Sequence, residues 1–483
     1  MKPKNILLFF TDQMRADCIH ELGNPVIQTP HLDELARESV VFDRCYTPSP
    51  VCVPARYSMM TGLYPAHTGC GENAHHGDYE GDGMYARLTA NGYHTCGIGK
   101  MHFPFDPYGL HGYSERFSQE EFLEKDDTYG NDLLKKGYTN VFDYNGQRGE
   151  MYYIPQVSQL PAKDHPTAWI GDRSIDFIKN YSGDKPFFLM SSFIHPHPPF
   201  APPAPWNKLY RKYQAVVPNV PEDSKNMLTW SNLTQNRYKG LSAGIDKHLV
   251  NQTINHYYAC ISFVDYQIGR IVAALKERGL YDDTLIVFTS DHGDFLGDYN
   301  CYGKRSMIDA AARVPLLIRV PGKSSEHRTD PVSLVDIEPT LLDWAGIRHK
   351  DGEFDGINIF KDRHDYIYSQ YERGEIALYM IASDHDKLVY SVYDRKYYYY
   401  DSFPETANTY DPKNPRCAEL RELLNAYIEM ASKPAADPAE IRAMMDSRME
   451  LCRAIPYAAA PQDHKNAHNR ELAAIPKEYT IDL

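Results

Sequence analysis

The 483-residue sequence lacks a cysteine framework, a basic surface and any long apolar run. Its nine cysteines are scattered, odd in number and contain no CxxC pair, so neither a disulfide scaffold nor a zinc finger is indicated. The formal net charge of -14 argues against a protein that tracks nucleic-acid phosphates, because such proteins need clustered Lys and Arg. An anionic ligand would therefore need positive charge supplied locally by a metal, Lys or Arg.

The N-terminal apolar run is also short. Residues 6–10 are apolar, but Thr11 and Asp12 end the run after five residues, too few for a signal-peptide core or a membrane span. The sequence therefore predicts a cytoplasmic protein with neither a membrane nor a nucleic-acid partner.

Short β-branched and aromatic runs alternate with segments of helical period, which is typical of a layered α/β protein with a largely parallel sheet. Thr29 and Pro30 predict the start of one helix, and Gly279 predicts the end of another. Five runs are apolar on both faces, as buried parallel strands are: residues 6–10, 93–98, 187–193, 285–289 and 314–320.

Two long segments and the C-terminal part have a different texture. Residues 115–162 are polar and weakly periodic and residues 196–221 are rich in proline, so both are predicted to be surface insertions around a site. After about residue 360 come Tyr-rich strands, a helix near residues 418–431 and an irregular tail. We therefore expect a large domain over residues 1–360 and a smaller, antiparallel C-terminal subdomain over residues 361–483.

Polar residues directly follow four of the predicted strands. They are Asp12-Gln13 after the first, Lys100-Met101-His102 after the second, His195-Pro196-His197 after the third and Asp291-His292-Gly293-Asp294 after the fourth. Ligands of open α/β sheets bind at the carboxyl ends of the strands, so these side chains are predicted to share one edge. A single strand-end aspartate is usually a cap or turn residue, but four coherent strand ends favour a site.

Four of these residues predict a metal centre. The oxygen atoms of Asp12, Gln13 and Asp291 and one imidazole of His292 suit a hard or borderline divalent cation. We expect Ca²⁺, with Mn²⁺ and Mg²⁺ as alternatives, since zinc or copper would favour more His or Cys.

The segment Cys52-Val53-Pro54-Ala55-Arg56, followed by Thr61-Gly62, predicts an anion site. Pro54 suits the first position of a helix and Gly62 its end, so Cys52 is expected at a helix N-terminus among free N–H groups. Arg56 lies one turn further on the same face, where it could hold a bound oxyanion. The alternative is a buried, inert cysteine.

Together these motifs resemble the formylglycine-dependent sulfatases of the alkaline-phosphatase-like superfamily. The likeness covers roughly the first 360 residues and is strongest in the Cys-x-Pro-x-Arg motif. It implies an α/β, alkaline-phosphatase-like layered fold with a large mixed, mostly parallel sheet and a smaller C-terminal antiparallel α+β subdomain. Further matching motifs, in the family's order, are Gly99-Lys100-Met101-His102, Pro196-His197-Pro198, Ser290-Asp291-His292-Gly293, Gly303-Lys304-Arg305 and Arg313-Val314-Pro315.

For Cys52 the resemblance implies conversion to 3-oxoalanine (formylglycine) by a formylglycine-generating enzyme. The hydrated aldehyde would join the metal ligands and attack the sulfur of a sulfate ester. The implied substrate is a small sulfated carbohydrate or aryl compound, and residues 1–360 would form the catalytic sulfatase domain.

The resemblance also implies roles for five other side chains. Arg56 and Lys100 would orient the hydrate and the sulfate, while His197 and Lys304 would stabilise or protonate the departing alkoxide. His102 would take the proton whose removal expels sulfate.

The chain departs from the family pattern at one position, and one assignment has a competitor. Many family members carry two adjacent aspartates after the first strand, where this chain has Asp12-Gln13, so Gln13 is the weakest of the predicted ligands. This Asp-Gln form is most similar to bacterial uronate 2-O-sulfatases, choline sulfatases and phosphonate monoester hydrolases. His195 competes with His197 for the acid role, and the Pro-His-Pro position favours His197.

Two other functions stay open from the sequence. A phosphonate monoester or phosphodiester hydrolase would use the same modified cysteine. A silent protein that binds a metal and a sugar sulfate is expected if Cys52 is never oxidised.

Overall fold

The computed structural model describes residues 5–74, 81–121, 125–141, 143–148, 151–214, 216–238, 246–431 and 437–454. The strands are β1 Asn5–Asp12, β2 Val40–Phe42, β3 Cys45–Tyr46, β4 His94–Gly99, β5 Glu115–Ser118, β6 Phe187–Pro196, β7 Thr284–Ser290, β8 Leu316–Arg319, β9 Glu326–Arg328, β10 Val332–Ser333, β11 Ile367–Tyr371, β12 Leu378–Ala382, β13 Lys387–Ser391 and β14 Lys396–Tyr400. The helices are α1 Pro30–Arg37, α2 Cys52–Thr61, α3 Pro65–Thr68, α4 Met84–Ala90, α5 Thr128–Lys135, α6 Pro166–Asn180, α7 Ser224–Met227, α8 Trp230–Tyr238, α9 Lys247–Glu277, α10 Asp309–Ala312, α11 Ile337–Trp344, α12 Pro415–Ala431 and α13 Pro438–Ala454.

A mixed, mostly parallel sheet forms the centre of the molecule. In the described part of the chain its order is β5-β4-β6-β1-β7-β8-β2-β9, and the first five strands are mutually parallel. Alternate residues of β1 point to opposite faces, so Leu7 and Phe9 enter one apolar core and Leu8 and Phe10 the other. Burial on both faces explains why the strand sequences are continuously apolar.

All five strands predicted from apolar runs are present in this sheet. The last of them, β8, is shorter than predicted and runs antiparallel to both β7 and β2. A run that is apolar on both faces reports burial and not strand direction, so the sequence could not reveal this reversal.

The helices α1 and α9 pack beside the sheet. Thr29 precedes α1 as predicted but makes no capping bond, because its hydroxyl donates to Asp33 Oδ1 at 3.0 Å. The carboxylate of Asp265 in α9 instead accepts from the N–H of Leu32 at 2.7 Å. Gly279 follows the end of α9 with φ of 66°, as the sequence predicted.

The two predicted surface insertions are only partly insertions. Residues 115–162 contain β5, which extends the central sheet, and α5. The first part of the proline-rich segment is buried, because Phe200 packs edge-on against Tyr153 and Tyr257. Both segments therefore contribute to the interior near the strand ends.

A second sheet follows in the C-terminal part. It is antiparallel in the order β11-β12-β13-β14, and its strands β12 to β14 match the predicted Tyr-rich runs. One face of β12 packs towards Trp230 and the C-terminal helix α13, and the other packs against α12. The division at residue 360 stays a prediction, and the predicted tail beyond residue 454 lies outside the described residues.

Among the described helices, not one combines the length and the apolar character that crossing a membrane would require.

Candidate active site

Residues that follow the carboxyl ends of β1, β4, β5 and β6 and the N-terminus of α2 line one cavity of about 590 Å³, and His292 after β7 lies beside it against Cys52. A parallel sheet places all its strand ends on the same edge, so residues far apart in sequence become neighbours. Predicted site residues that line the cavity are Gln13, Cys52, His102, His197 and Lys304.

Cys52 is the first residue of α2 and is 1% exposed. Its Sγ lies 2.8 Å from Lys304 Nζ, 3.3 Å from His292 Nε2 and 3.7 Å from Asp12 Oδ1. Burial and Asp12 oppose ionisation of the thiol, but Lys304, Lys100 and His292 outweigh them, so its pKa lies well below the usual range. The thiol therefore lies among charged groups and not in the apolar surroundings of a typical buried, inert cysteine.

The helix α2 presents this cysteine as predicted, with one difference in its start. It begins at Cys52, two residues before Pro54, and the N–H of Val53 donates to Asn73 Oδ1 at 3.0 Å. Gly62 ends the helix with φ of 64°.

Arg56 lies one turn along α2 and binds carboxylates. Its Nε donates to Asp291 Oδ2 at 2.9 Å and its Nη2 to Asp12 Oδ2 at 3.2 Å. Its Nη1 donates to the carbonyl of Lys100 at 2.8 Å and to Ser192 Oγ at 3.1 Å. The guanidinium therefore lies behind the cavity lining and fixes the two aspartates that face Cys52.

The predicted metal ligands are close together. Asp12, Cys52, Asp291 and His292 each offer an atom, and these atoms all lie within 4.8 Å of one another. Gln13 lines the same cavity, and its Oε1 is buried without a hydrogen-bond partner among the described residues. Two carboxylates, an imidazole and an unsatisfied amide oxygen fit a divalent cation with a preference for oxygen.

The orientation of the Gln13 amide is fixed from behind. Its Nε2 donates to the hydroxyl of Tyr153 at 3.0 Å and to the carboxylate of Asp294. A carboxylate can only accept, so the amide nitrogen must face Asp294 and the amide oxygen must face the metal set. Asp294 thus restores, one layer further out, the negative charge that the glutamine lacks.

Electrostatics around the two aspartates also fit a cation. Burial and the neighbouring Asp12 raise the pKa of Asp291, against the opposing effects of His292 and Arg56. Burial also acts to raise the pKa of Asp12, but Lys100 and other cations hold it well below its usual range. A divalent ion between the two carboxylates would stabilise both in the ionised form.

His197 and His195 occupy different environments. His197 lines the cavity, and its Nδ1 lies 2.6 Å from the carbonyl of Pro198, so Nδ1 carries a proton and Nε2 faces Tyr152 at 3.5 Å. His195 lies behind it, stacked on His165 with ring centroids 4.8 Å apart, and is absent from the lining. Geometry therefore favours His197 as the acid.

Two further predicted residues adjoin the cavity. His102 lines it with φ of 53°, and its Nδ1 lies 3.8 Å from Glu121 Oε1. Lys100 lies just behind the lining, where its Nζ binds Asp12 Oδ2 at 2.6 Å and also Glu121. Burial lowers the pKa of Lys100, but Asp12 and Glu121 outweigh it and raise the pKa above its usual range.

Sequence reasoning missed Glu121. This glutamate follows β5 by three residues and lines the cavity beside His102 and His197. The strand β5 ends at Ser118, shortly before Glu120 and Glu121. It is too short and polar to be recognised as a strand from the sequence. The same strand-end argument would have found Glu121 had β5 been predicted.

The outer part of the cavity was also unpredicted. Arg305 pairs with Glu72 at 2.7 Å, and Trp230 stacks on Tyr371 with centroids 6.2 Å apart. Glu372, Ile376, Met444, Met445 and Arg448 also contribute lining, so β11, the turn after it and α13 form the outer wall.

Comparisons with known proteins find relatives over most of the chain. The family model described as Sulfatase matches residues 4–347. An arylsulfatase from Clostridium perfringens is 32% identical, covering 88% of this chain and 91% of the relative. A choline-sulfatase from Rhizobium meliloti is 30% identical, covering 71% of this chain and 68% of the relative.

Solved structures show the same fold. The phosphonate monoester hydrolase from Silicibacter pomeroyi superposes with a TM-score of 0.74 at 25% identity, covering 88% of this chain and 94% of that one. The predicted alkaline-phosphatase-like α/β fold is confirmed by these neighbours together with the two sheets.

Proposed function

This chain belongs to the sulfatase family of sulfuric ester hydrolases, and we propose that it hydrolyses the sulfate ester of a small carbohydrate or aryl substrate with a nucleophile made from Cys52. The membership inferred from the Cys-x-Pro-x-Arg motif is thereby confirmed. One observation supports the proposal most: a buried cysteine lies at a helix start against Lys304, His292 and Asp12.

Two groups would complete the site. Formylglycine at position 52 would supply a geminal diol as nucleophile, and a divalent cation would lower the pKa of that diol and neutralise charge on the sulfate. Asp12, Gln13, Asp291 and His292 would hold the cation, for which Ca²⁺ is our first choice.

The remaining side chains would orient groups and move protons. Lys304, which lies against the nucleophile, would stabilise the departing oxygen. His197 would protonate that oxygen from Nε2 once its ring carries a proton on both nitrogens, and it would return to the neutral form with Nδ1 still protonated. Lys100 would hold a sulfate oxygen, and Arg56 would hold Asp12 and Asp291 in place. His102 would take the proton that releases sulfate.

The rival is a phosphonate monoester hydrolase, and a structural neighbour with that activity favours keeping it. Parallel kcat/KM measurements on a sulfate monoester and a phosphonate monoester with one enzyme preparation decide between them. We expect the sulfate ester to be preferred, and a preference for the phosphonate would overturn the assignment.

The nucleophile is tested by mass and by substitution. We expect the peptide containing Cys52 to be lighter by the difference between a thiomethyl and a formyl group, whereas an unchanged mass would indicate a silent binding protein. Cys52→Ala should lower kcat on the order of 10⁴-fold or more while keeping the fold and the bound metal. Activity like that of the unmodified sequence in this variant would end the proposal.

A further inference from the structure

Glu121 is a carboxylate in a site that must bind an anion. Its oxygens contact the ammonium of Lys100 and, at 2.9 Å, the guanidinium of Arg148. One of them lies within 4.8 Å of the Sγ of Cys52, so its charge adjoins the reacting atoms. Burial acts to raise the pKa of Glu121, but Lys100 and other nearby groups, Arg148 among them, hold it well below its usual range.

The predicted metal ligands do not account for every carboxylate near Cys52. Three cationic side chains, Arg56, Lys100 and Lys304, lie around the thiol with three carboxylates, while Asp294 lies one layer further out behind Gln13. Two of those carboxylates, Asp12 and Asp291, are the predicted metal ligands, and the third is Glu121. Arg148 is shared between Glu121 and Asp143, with which it pairs at 2.9 Å.

This placement of Glu121 has a consequence for the substrate. A negative charge within 4.8 Å of the Cys52 Sγ repels a doubly charged ester more strongly than a singly charged one. Loss of Glu121 would make the site more positive by one unit and would remove this difference. Sulfate monoesters and phosphonate monoesters are singly charged, whereas phosphate monoesters are doubly charged above their second pKa of about 6.

We propose that Glu121 sets the charge selectivity of the site, admitting singly charged esters and rejecting doubly charged phosphate monoesters. The inference rests on the proposed function but goes beyond it, because it holds whether sulfate or phosphonate esters are the better substrates. Rejection works through repulsion from a fixed, partly buried carboxylate, a device that specific sites use alongside attraction.

The test compares two esters that differ in charge but share a leaving group and a tetrahedral shape. The kcat/KM values for p-nitrophenyl phosphate and p-nitrophenyl sulfate are measured at pH 8 for the original enzyme and for Glu121→Gln. We expect the phosphate-to-sulfate ratio to rise on the order of 10²-fold in Glu121→Gln, since one charge about 5 Å away is removed at an effective dielectric constant near 20. Equal losses on both esters would show a merely structural role and overturn the proposal.

Two further variants separate charge from packing. Glu121→Asp keeps the charge and should keep the ratio low. Asp143→Asn removes another carboxylate that pairs with Arg148 but lies outside the cavity lining, and it should leave the ratio within about twofold. A raised ratio in either variant would contradict the assignment to Glu121.

A binding measurement decides the question even if the enzyme turns over neither ester. In the Cys52→Ala background with the divalent cation present, calorimetry at pH 9 compares ethanesulfonate with ethylphosphonate, which have similar shapes but charges of minus one and minus two. Adding Glu121→Gln should tighten ethylphosphonate relative to ethanesulfonate by at least 10-fold. An unchanged affinity ratio would overturn the proposal, whereas loss of turnover alone would count only against the proposed function.

Discussion

Individual side chains make the metal centre testable. Asp291→Asn keeps the shape of a ligand but removes its charge, so we expect metal affinity to fall on the order of 10²-fold and activity to fall with it. Activity should recover in part when the cation concentration is raised, because the remaining ligands are intact. Metal content after dialysis and titration of activity with the cation provide the measurements. Full activity after prolonged exposure to a strong chelator would refute a metal role.

Tyr153→Phe should lower metal affinity less than Asp291→Asn does. It removes one of the two acceptors that orient the Gln13 amide but leaves every proposed ligand in place. We expect a smaller loss of metal affinity, about 10-fold, as is typical of groups that orient a ligand. A loss equal to that of Asp291→Asn would mean that Tyr153 does more than orient Gln13.

The roles of His197 and Lys304 can be tested by comparing substrates whose leaving groups differ in their need for a proton. An activated phenolate departs without a proton, whereas a sugar alkoxide needs one, so His197→Ala and Lys304→Ala should hurt sugar sulfates most, on the order of 10²-fold or more. Lys100→Ala and Arg56→Ala should slow both substrate types by similar factors. Both substrates present the sulfate that Lys100 would hold, and both need Asp12 and Asp291, which Arg56 holds in place. The measurement is kcat/KM for each variant on one aryl and one sugar sulfate. Equal losses at His197 and Arg56 on both substrates would remove this division of roles.

At this scale the sequence predicts residues that follow long apolar strands and misses those that do not. Asp12 and Asp291 were found because β1 and β7 are unmistakable, and Cys52 because its motif is specific. Glu121 was missed because β5 is short and polar, and Tyr371 because it ends a strand of mixed character. The contact of Arg56 with Asp291 joins residues 235 positions apart, so the sequence could not show that Arg56 supports ligands from behind.

Among the elements, the helix α2 requires glycine at the position where it ends. Gly62 has φ of 64°, and a Cβ there would lie 2.6 Å from the ring of Phe354. We expect Gly62→Ala to lose more than about 2 kcal/mol of stability and to lose activity, because α2 carries both Cys52 and Arg56. The unfolding temperature and kcat/KM provide the readouts.

Gly346 offers the matched control for that substitution. It follows α11 with φ of 72°, and a Cβ there would meet nothing within 4 Å. Gly346→Ala should therefore show only the backbone strain, about 1–2 kcal/mol, with activity retained. If both variants lose the same stability, the contact with Phe354 has no energetic role.

The sequence predicts elements unevenly for a physical reason. Strands β1, β4, β6 and β7 are buried on both faces and read as apolar runs, whereas β5 and β11 carry polar side chains and depend on their neighbours for pairing. An apolar run also carries no information about strand direction. The sequence therefore could not distinguish β8, which is antiparallel to β7, from the parallel strands of the sheet.

For the whole molecule, the buried His195 predicts how stability depends on pH. Burial and the nearby His197 lower the pKa of His195 from 6.5 to about 3. Its unfolded form therefore takes up a proton below about pH 6.5 while the folded form excludes it, so its contribution to stability is full above pH 6.5 and declines as the pH falls towards 3. The decline approaches about 1.4 kcal/mol per pH unit.

The measurement is the unfolding temperature of the original protein and of His195→Gln between pH 7.5 and pH 4. We expect the advantage of the original protein to shrink steadily below pH 6.5 and to stay constant above it. His385→Gln, at an exposed position, controls for the substitution itself. A pH-independent difference at His195 would show that this histidine does not exclude a proton in the folded state.

The burial of Cys52 also limits the time in which the proposed conversion of Cys52 to formylglycine can take place. A modifying enzyme cannot reach a sulfur that is 1% exposed, so oxidation has to precede the closing of the site around it. That closing requires His292, which lies 240 residues later in the chain. At a synthesis rate of about 5–20 residues per second, the cysteine stays open for at least roughly 10 to 50 seconds after it is made. Fast folding or a scarce modifying enzyme would therefore produce folded but inactive molecules, and the active fraction would be fixed once the site has closed.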